Sequence, residues 1–226
     1  MQHRSLRIVI ASAVAALAAA STALGVTGST VDGDAHPYVG ALVAGDTVRC
    51  SGVLVAPAVF VTAGHCGADG ERVSVSFDAK LGDGWSLQDG TLHVDTAKKA
   101  DLAVVVLDRA AMPAPAALPP AGAVVPVTVT SVGYGYSARA ADGSFVYDGY
   151  RRTADSPVLK SSTLALTLST RVAGPCLGDS GGPQLAGDTV LSVTSSGSKD
   201  CRGKAEGYRL DSAPARDFLR RFVALP

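Results

Sequence analysis

Gly178-Asp179-Ser180-Gly181-Gly182-Pro183 is the stretch of this 226-residue chain from which its fold can be predicted. Glycine adopts backbone angles that other residues avoid and proline fixes its own φ, so the stretch suits neither a helix nor a central strand. It predicts a tight turn that exposes the hydroxyl of Ser180. An ordinary surface turn has the same composition, so the remainder of the chain has to distinguish the two.

A serine hydroxyl is a weak nucleophile and needs partners from elsewhere in the chain. A neutral imidazole has to accept its proton, a carboxylate has to orient that imidazole, and backbone N–H groups have to stabilise the oxyanion. Suitable residues occur upstream. His65 lies in Thr-Ala-Gly-His-Cys at 62–66, and Asp101 opens the apolar run Asp-Leu-Ala-Val-Val-Val-Leu at 101–107.

Other histidines and aspartates compete for these two roles. His36 and His93 stand in no motif, so surface or strand positions suit them better. Asp95 and Asp108 lie close to Asp101 in the sequence, but Asp108 closes the apolar run just before an arginine, which favours a surface turn. Asp101 is the better candidate, because a carboxylate at the start of a buried strand can be aimed at a partner.

The three motifs, in the order His…Asp…Ser, resemble the chymotrypsin/trypsin-type family of serine proteases, and the resemblance extends over residues 26–220. It implies an all-β fold of two antiparallel six-stranded Greek-key barrels with a C-terminal α-helix. It also implies that Ser180 is the nucleophile, His65 the general base and Asp101 the residue that orients His65. The N–H groups of Gly178 and Ser180 would form the oxyanion hole, and Asp179 would be structural.

The N-terminus is predicted to be a secretory signal peptide, residues 1–25. Arg4 and Arg7 precede an apolar run at 8–20, and small residues follow. The run is too short for a comfortable membrane span. We therefore expect a secreted, extracellular protein that has no membrane association after signal cleavage.

The position of cleavage is open between Ala20, Ala23 and Gly25. Cleavage after Gly25 would free Val26, and the resemblance implies that a freed Ile or Val ammonium pairs with the aspartate before the nucleophile, here Asp179. The segment departs from the family's usual Ile-Val-Gly-Gly, and no basic residue precedes Val26. The alternative is a few leftover residues and another partner for Asp179.

The remaining chain divides into two halves of similar style. Residues 26–120 form the expected first barrel, which carries His65 and Asp101, and residues 121–226 form the second, which carries Ser180 and a helix over 214–225. The proline-rich segment 110–122 would connect them. Short β-rich runs between turn signals predict the strands, at 38–43, 47–55, 59–62, 72–77, 91–94, 102–107, 124–134, 147–153, 163–168, 184–185, 189–194 and 206–210.

Charge and composition limit the partners. The 20 basic and 20 acidic residues balance, so the net charge is zero and nucleic acid is not an expected partner. The expected partners are a protein or peptide substrate and a proteinaceous inhibitor. A monomer is the default for such a fold. No cofactor and no metal site is expected, since the cysteine and histidine spacings match no zinc pattern.

The four cysteines suit an exported protein, in which disulfides persist. Four cysteines allow three pairings. The resemblance implies the two local ones, Cys50–Cys66 and Cys176–Cys201. The first would tie the turn that carries His65 to a strand, and the second would join the loop before Ser180 to a later loop.

Substrate preference is expected to depend on a pocket beside the nucleophile. By the resemblance, Gly174 holds the position where trypsin-like enzymes carry an acidic residue, and Ser196 and Gly197 form a wall. Either Gly207 or Glu206 reaches the pocket base, and only Glu206 would accept basic side chains. The glycines favour a chymotrypsin-like preference for Phe, Tyr, Leu or Met before the cut.

These observations predict a secreted serine endopeptidase that acts through a Ser-His-Asp triad and an acyl-enzyme. Two alternatives remain open. A catalytically silent relative would bind a partner without cutting it, although such proteins usually lack a triad residue. An esterase would use the same triad on another leaving group.

Overall fold

The computed structural model describes residues 28–45, 47–140 and 142–226. These residues form fifteen strands and one α-helix: β1 (Thr30–Val31), β2 (Val39–Ala44), β3 (Thr47–Ala56), β4 (Val59–Thr62), β5 (Arg72–Ser76), β6 (Gln88–Val94), β7 (Ala103–Leu107), β8 (Thr128–Gly133), β9 (Ala138–Arg139), β10 (Phe145–Val146), β11 (Arg152–Ser161), β12 (Ala165–Ser169), β13 (Pro183–Ala186), β14 (Thr189–Gly197), β15 (Lys204–Arg209) and α1 (Ala213–Leu219). The predicted signal peptide and Val26 lie outside the described residues.

The first barrel closes in the order β2-β3-β4-β7-β6-β5, and all of its strand pairs are antiparallel. Its strands are rich in valine and leucine, which suit a pleated and buried surface. Leu42, Leu54 and Phe60 are fully buried within it. The Phe60 ring packs on the backbone of Gly52, where a Cβ would come within 2.4 Å of the ring, so the absence of a side chain there makes room for the core.

The second barrel closes in the order β8-β11-β12-β15-β14-β13, with β13 paired to β8 again. Its six strands follow one another around the barrel as β2 to β7 do in the first, so the two barrels share one topology. The expectation of two antiparallel six-stranded barrels is confirmed. β1 pairs with the start of β11 through Thr30 and Thr153, which ties the N-terminal end of the described chain to the second barrel.

Several strand predictions for the second half need correction. β8 begins at Thr128 instead of residue 124, and β11 runs from Arg152 to Ser161 where only 147–153 was expected. Only one face of β11 is buried, so its other face carries polar residues and Pro157. This composition does not resemble a strand in the sequence. The segment 138–146, where the sequence predicted no strand, contains the short hairpin β9–β10.

The C-terminal helix is confirmed but is shorter than the predicted 214–225. Ser212 caps it by accepting a hydrogen bond from the N–H of Ala215. After Leu219 the chain continues in tighter turns, with hydrogen bonds three residues apart, and Phe222 packs against Phe218 at a ring distance of 5.3 Å. The apolar spacing therefore persists beyond the end of the α-helix. None of the helices among the described residues has the length and apolar character that crossing a bilayer requires.

A buried arginine fixes the two barrels relative to each other. Arg151 is 1% exposed, pairs with Asp32 at 2.9 Å, and donates to the carbonyls of Val39 and Phe77 in and beside the first barrel. It also donates to the Tyr134 hydroxyl, just after β8. A buried charge is tolerated only when it is paired and fully hydrogen-bonded, so this network holds the barrel interface in one arrangement.

Candidate active site

His65 lies in a single 3-10 turn, Gly64–Cys66, that follows β4. The disulfide between Cys66 and Cys50 joins this turn to β3. Gly64 has no room for a side chain, because a Cβ would lie 3.0 Å from the Leu102 amide nitrogen and 3.3 Å from an oxygen of Asp101. The local sequence therefore brings the histidine turn directly against the residues that begin β7.

Asp101 meets His65 through three contacts. Its Oδ1 accepts the backbone N–H of His65 at 3.0 Å, and the imidazole Nδ1 lies 3.1 Å from Oδ1 and 3.0 Å from Oδ2. An ionised carboxylate only accepts hydrogen bonds, so Nδ1 carries the hydrogen and Nε2 is left as the ring nitrogen that can act as a base. Two of the predicted site residues are thus in direct contact.

The pKa values of His65 and Asp101 are both shifted by the contact between them. The hydrogen bond to Asp101 raises the pKa of His65, although partial burial opposes the rise. Burial raises the pKa of Asp101, but the hydrogen bonds from His65 and Ser195 outweigh it, and the net pKa is lowered. The arrangement therefore stabilises a negative carboxylate next to an imidazole that can become positive.

Ser195 is a member of this cluster that the sequence did not identify. Its hydroxyl donates to Asp101 Oδ2 at 2.5 Å, from strand β14 of the second barrel. A register shift between Thr194 and Ser196 interrupts the pairing of β14 with β15 at this residue. A bulge of this kind re-aims a side chain, so no period-2 pattern could have predicted the direction of Ser195.

The turn that carries Ser180 packs against the end of β4. Gly178 and Gly181 have φ values of +92° and +78°, which only glycine adopts readily. A Cβ on Gly181 would come within 2.2 Å of the Thr62 hydroxyl and 2.7 Å of the Ala63 amide nitrogen. Ser180 accepts a hydrogen bond at its carbonyl from the N–H of Ser51 at 2.8 Å. The turn therefore packs tightly against the segment that leads to His65.

The Ser180 turn and the His65 turn are therefore neighbours, since Gly181 packs against Thr62 and Ala63 just before the His65 turn. The contacts of the described residues include no hydrogen bond from the Ser180 hydroxyl to the imidazole, whereas the bond from His65 to Asp101 is formed. In ligand-free enzymes the bond between nucleophile and base is often long and tightens only when substrate binds.

The N–H groups predicted to form the oxyanion hole have no backbone acceptor among the described residues. In the described part of the chain, the backbone N–H groups of Gly178 and Ser180 donate to no backbone carbonyl. The Gly178 carbonyl, in contrast, accepts a bond from the hydroxyl of Ser51 at 3.0 Å, and the same hydroxyl accepts the Tyr134 N–H at 2.9 Å. Ser51, which the sequence did not single out, holds both sides of the turn.

Asp179 is buried beneath the turn, with 2% of its surface exposed. Its two oxygens accept the N–H groups of Gly135 and Cys176, both at 2.8 Å. Burial raises the pKa of Asp179 to about 7 against the effect of these two bonds. No arginine or lysine pairs with it among the residues that the structure describes. Asp179 therefore joins the segments of Gly135 and Cys176 beneath the turn.

A small cavity of about 80 Å³ adjoins Ser180. Ser196 and Gly197 line it, as predicted for a pocket wall, and no ionisable side chain does. Its lining residues are Pro175, Cys176, Leu177, Gly178, Ser180, Thr194, Ser196, Gly197 and Ser198.

Three residues predicted for this pocket do not line it. A Cβ on Gly174 would meet Thr170 at 2.8 Å, so this residue faces the barrel wall. Gly207 faces the barrel interior, where a Cβ would lie 2.1 Å from the side-chain oxygen of Gln184. Glu206 is exposed and lies opposite Ser196 across the strand pair, which places both on one face of the sheet. Of the two open candidates, only Glu206 is on the cavity side.

Both predicted disulfides are formed, Cys50–Cys66 and Cys176–Cys201. Cys50, His65 and Cys66 lie close enough together to resemble a metal cluster. The two sulfurs are bonded to each other, however, and cysteine binds a metal ion as a thiolate, which a disulfide does not offer. The donor set of this group therefore does not suit a metal ion.

The competing candidates lie outside the cleft or have other partners. His36 contacts Asp32, and His93 packs on Phe222 at a ring distance of 5.3 Å. Asp108 pairs with Arg72 at the surface, as expected for a turn. Asp95 accepts the N–H of Ala97.

Comparisons with known proteins place the chain in a family. A family model described as Trypsin matches residues 26–218, so the chain belongs to the trypsin family, as its motifs predicted. Among solved structures, a mutant of human heparin binding protein has the same fold, with a TM-score of 0.68 and 20% sequence identity over 82% of this chain and 90% of that one. The sequence matches no curated protein.

Proposed function

We propose that this protein is a serine endopeptidase that acts outside the cell as a monomer. The observation that carries the proposal is the contact of His65 with Asp101, next to the Ser180 turn that packs against Thr62 and Ala63. The expected partners are a protein or peptide substrate and a proteinaceous inhibitor. Two disulfides and the apolar leader favour export.

The proposed reaction uses the chain's own groups throughout. The Ser180 hydroxyl attacks the peptide carbonyl while its proton passes to His65 Nε2. Asp101 holds the Nδ1–H and stabilises the imidazolium, and the N–H groups of Gly178 and Ser180 bind the oxyanion. The imidazolium then protonates the leaving amine, and water releases the acyl group by the same steps in reverse.

The residue before the cut would place its side chain in the cavity beside Ser180. The uncharged lining favours an uncharged side chain. The volume of about 80 Å³ is well below the roughly 150 Å³ of a cavity that binds benzene. Among the apolar residues expected from the sequence, we therefore favour aliphatic ones such as Leu over Phe and Tyr. Peptides that differ only at this residue (Leu, Phe, Arg) test this, and faster cleavage after Arg would contradict it and implicate Glu206.

We further propose that signal cleavage after Gly25 creates the mature end, and that the Val26 ammonium pairs with Asp179. Two observations support this. Asp179 is buried with no cationic side chain described near it. Gly28, two residues after Val26, is packed tightly on the backbone of Val172, just before the turn. N-terminal sequencing of the secreted protein tests this, and any start other than Val26 would refute it.

An organophosphorus serine reagent tests the endopeptidase proposal. The reagent is expected to label Ser180, as located by peptide mass spectrometry, and casein hydrolysis is expected to fall in step with the labelling. Ser180→Ala should lose both. Ser196→Ala, which removes another hydroxyl from the same cavity, should keep the labelling.

The two alternative functions give different results in the same experiment. A catalytically silent binding protein would neither take the label nor cut casein. The solved structure with the same fold is that of a heparin binding protein, which favours binding as the second candidate function. An esterase would take the label and hydrolyse esters but would leave casein intact.

A further inference from the structure

A second and larger cavity adjoins the Ser180 turn. Its volume is about 310 Å³, and it spans the two barrels. It shares only Leu177 and Gly178 with the cavity beside Ser180, so these two residues form the wall between them. The residues that line the larger cavity are Thr47, Val48, Tyr134, Gly135, Tyr136, Tyr147, Leu177 and Gly178.

The larger cavity is lined with aromatic side chains that remain accessible. Tyr136 and Tyr147 are 37% and 45% exposed, and Leu177 is 46% exposed. The rings of Tyr136 and Tyr147 lie 6.0 Å apart, edge to face, and Phe145 lies 5.5 Å from Tyr136. Contiguous exposed apolar surface of this kind marks binding sites. The Tyr136 N–H donates to the Leu177 carbonyl at 2.8 Å, so the aromatic group is attached to the turn itself.

The position of the cavity relative to the reaction follows from the leaving amine. His65 has to protonate that amine, so the leaving half of the substrate must run toward the barrel that carries His65. Thr47 and Val48 belong to β3 of that barrel, close to Cys50, which is bonded to the neighbour of His65. The smaller cavity is built from the second barrel alone. The larger cavity therefore lies on the leaving-group side.

We propose that the aromatic cavity selects substrates with an aromatic side chain within the two residues that follow the scissile bond. The inference rests on the proposed peptidase function. A volume of about 310 Å³ exceeds the roughly 150 Å³ that holds benzene, whereas the cavity beside Ser180 does not. Stacking and edge-to-face contacts with Tyr136 and Tyr147 suit an aromatic ring. Recognition of aromatic residues thus belongs to the leaving-group side.

Acyl transfer tests this side of the site alone. An ester substrate forms the acyl-enzyme, which then reacts with water or with an added dipeptide amide, either phenylalanyl-phenylalanine amide or alanyl-alanine amide. The amine nitrogen attacks the acyl carbon and the bond from that carbon to Ser180 Oγ breaks. The proton released by the amine returns through His65 to the serine oxygen. The ratio of amide to acid product measures binding of the amine.

Phenylalanyl-phenylalanine amide is expected to capture the acyl group at least about tenfold better than alanyl-alanine amide at equal concentration. Tyr147→Ala and Tyr136→Ala should bring the two amines within about twofold of each other. Tyr147→Phe, which keeps the ring, should retain the preference, and so should Tyr150→Ala, which removes a tyrosine outside the cavity.

The experiment distinguishes failure of the aromatic site from failure of the peptidase proposal. Ester turnover with equal capture of both amines, or a preference that survives both alanine variants, would overturn the aromatic site alone. The absence of any ester turnover would overturn the peptidase proposal and the inference with it.

Discussion

Replacement of Ser51 by alanine is predicted to impair catalysis without removing any group that touches substrate. Ser51 is fully buried, and its hydroxyl donates to the Gly178 carbonyl at 3.0 Å and accepts the Tyr134 N–H at 2.9 Å. Its own N–H holds the Ser180 carbonyl. Loss of the hydroxyl frees the peptide between Gly178 and Asp179, so the oxyanion donors become less well oriented.

The structure indicates how much stability and how much kcat the Ser51→Ala variant should lose. Tyr134 is fully buried, so water cannot replace the lost partner of its N–H, and a buried unpaired donor costs about 1–3 kcal/mol of stability. One oxyanion donor is typically worth about 3–4 kcal/mol in the transition state. Partial misorientation that costs about 1.4 kcal/mol lowers kcat about tenfold. We expect KM to change by less than about twofold, because ground-state contacts are kept.

Urea unfolding and steady-state kinetics on a peptide substrate measure the two quantities. Ser76→Ala is the matched control, because Ser76 is equally buried but accepts only the Asp78 N–H at 3.3 Å and lies away from the turn. That variant should lose stability without losing kcat. If Ser51→Ala lowers stability while kcat stays equal to that of Ser76→Ala, the hydroxyl is purely structural and the reasoning is wrong.

Three further predictions concern the charged groups and a disulfide. Asp101→Asn should lower kcat about 10⁴-fold and move the acid limb of the kcat/KM profile to lower pH, because Asp101 raises the pKa of His65; an unmoved limb in a pH–rate titration would count against the assignment. Asp179 has a folded-state pKa of about 7, above its ordinary 3.8, so its own contribution to the stability of the unprocessed chain should be greatest below pH ~4 and be lost toward pH ~7. Urea midpoints measured across that window should fall less steeply with rising pH in Asp179→Asn than in the parent chain, and an unchanged slope would exclude this group as the cause. Replacement of Cys50 and Cys66 by serine opens a loop of sequence separation 16 and should cost about 3 kcal/mol in the same assay, whereas a cost near zero would mean that the bond does not restrain the unfolded chain.

Local chemistry explains what could be predicted from the sequence. The turn around Ser180 could be predicted because it is rich in glycine and proline, and the backbone preference of each of these residues is local. Short apolar runs between turn signals predicted most strands of both barrels, and the family followed from three motifs in order. His65 could be proposed from its motif, and Asp101 from its position at the start of an apolar strand.

Only the tertiary structure decided the features that depend on pairing between distant strands. Ser195 reaches Asp101 because the register of β14 shifts beside it, and Ser51 meets the Ser180 turn because two barrels dock. Neither side chain differs in composition from an ordinary surface serine. Glu206 and Gly207 are neighbours in the sequence, and strand alternation alone sends one to the cavity face and the other into the barrel. A local sequence pattern cannot predict such contacts, because they form only when strands that are distant in the sequence pair and the barrels close.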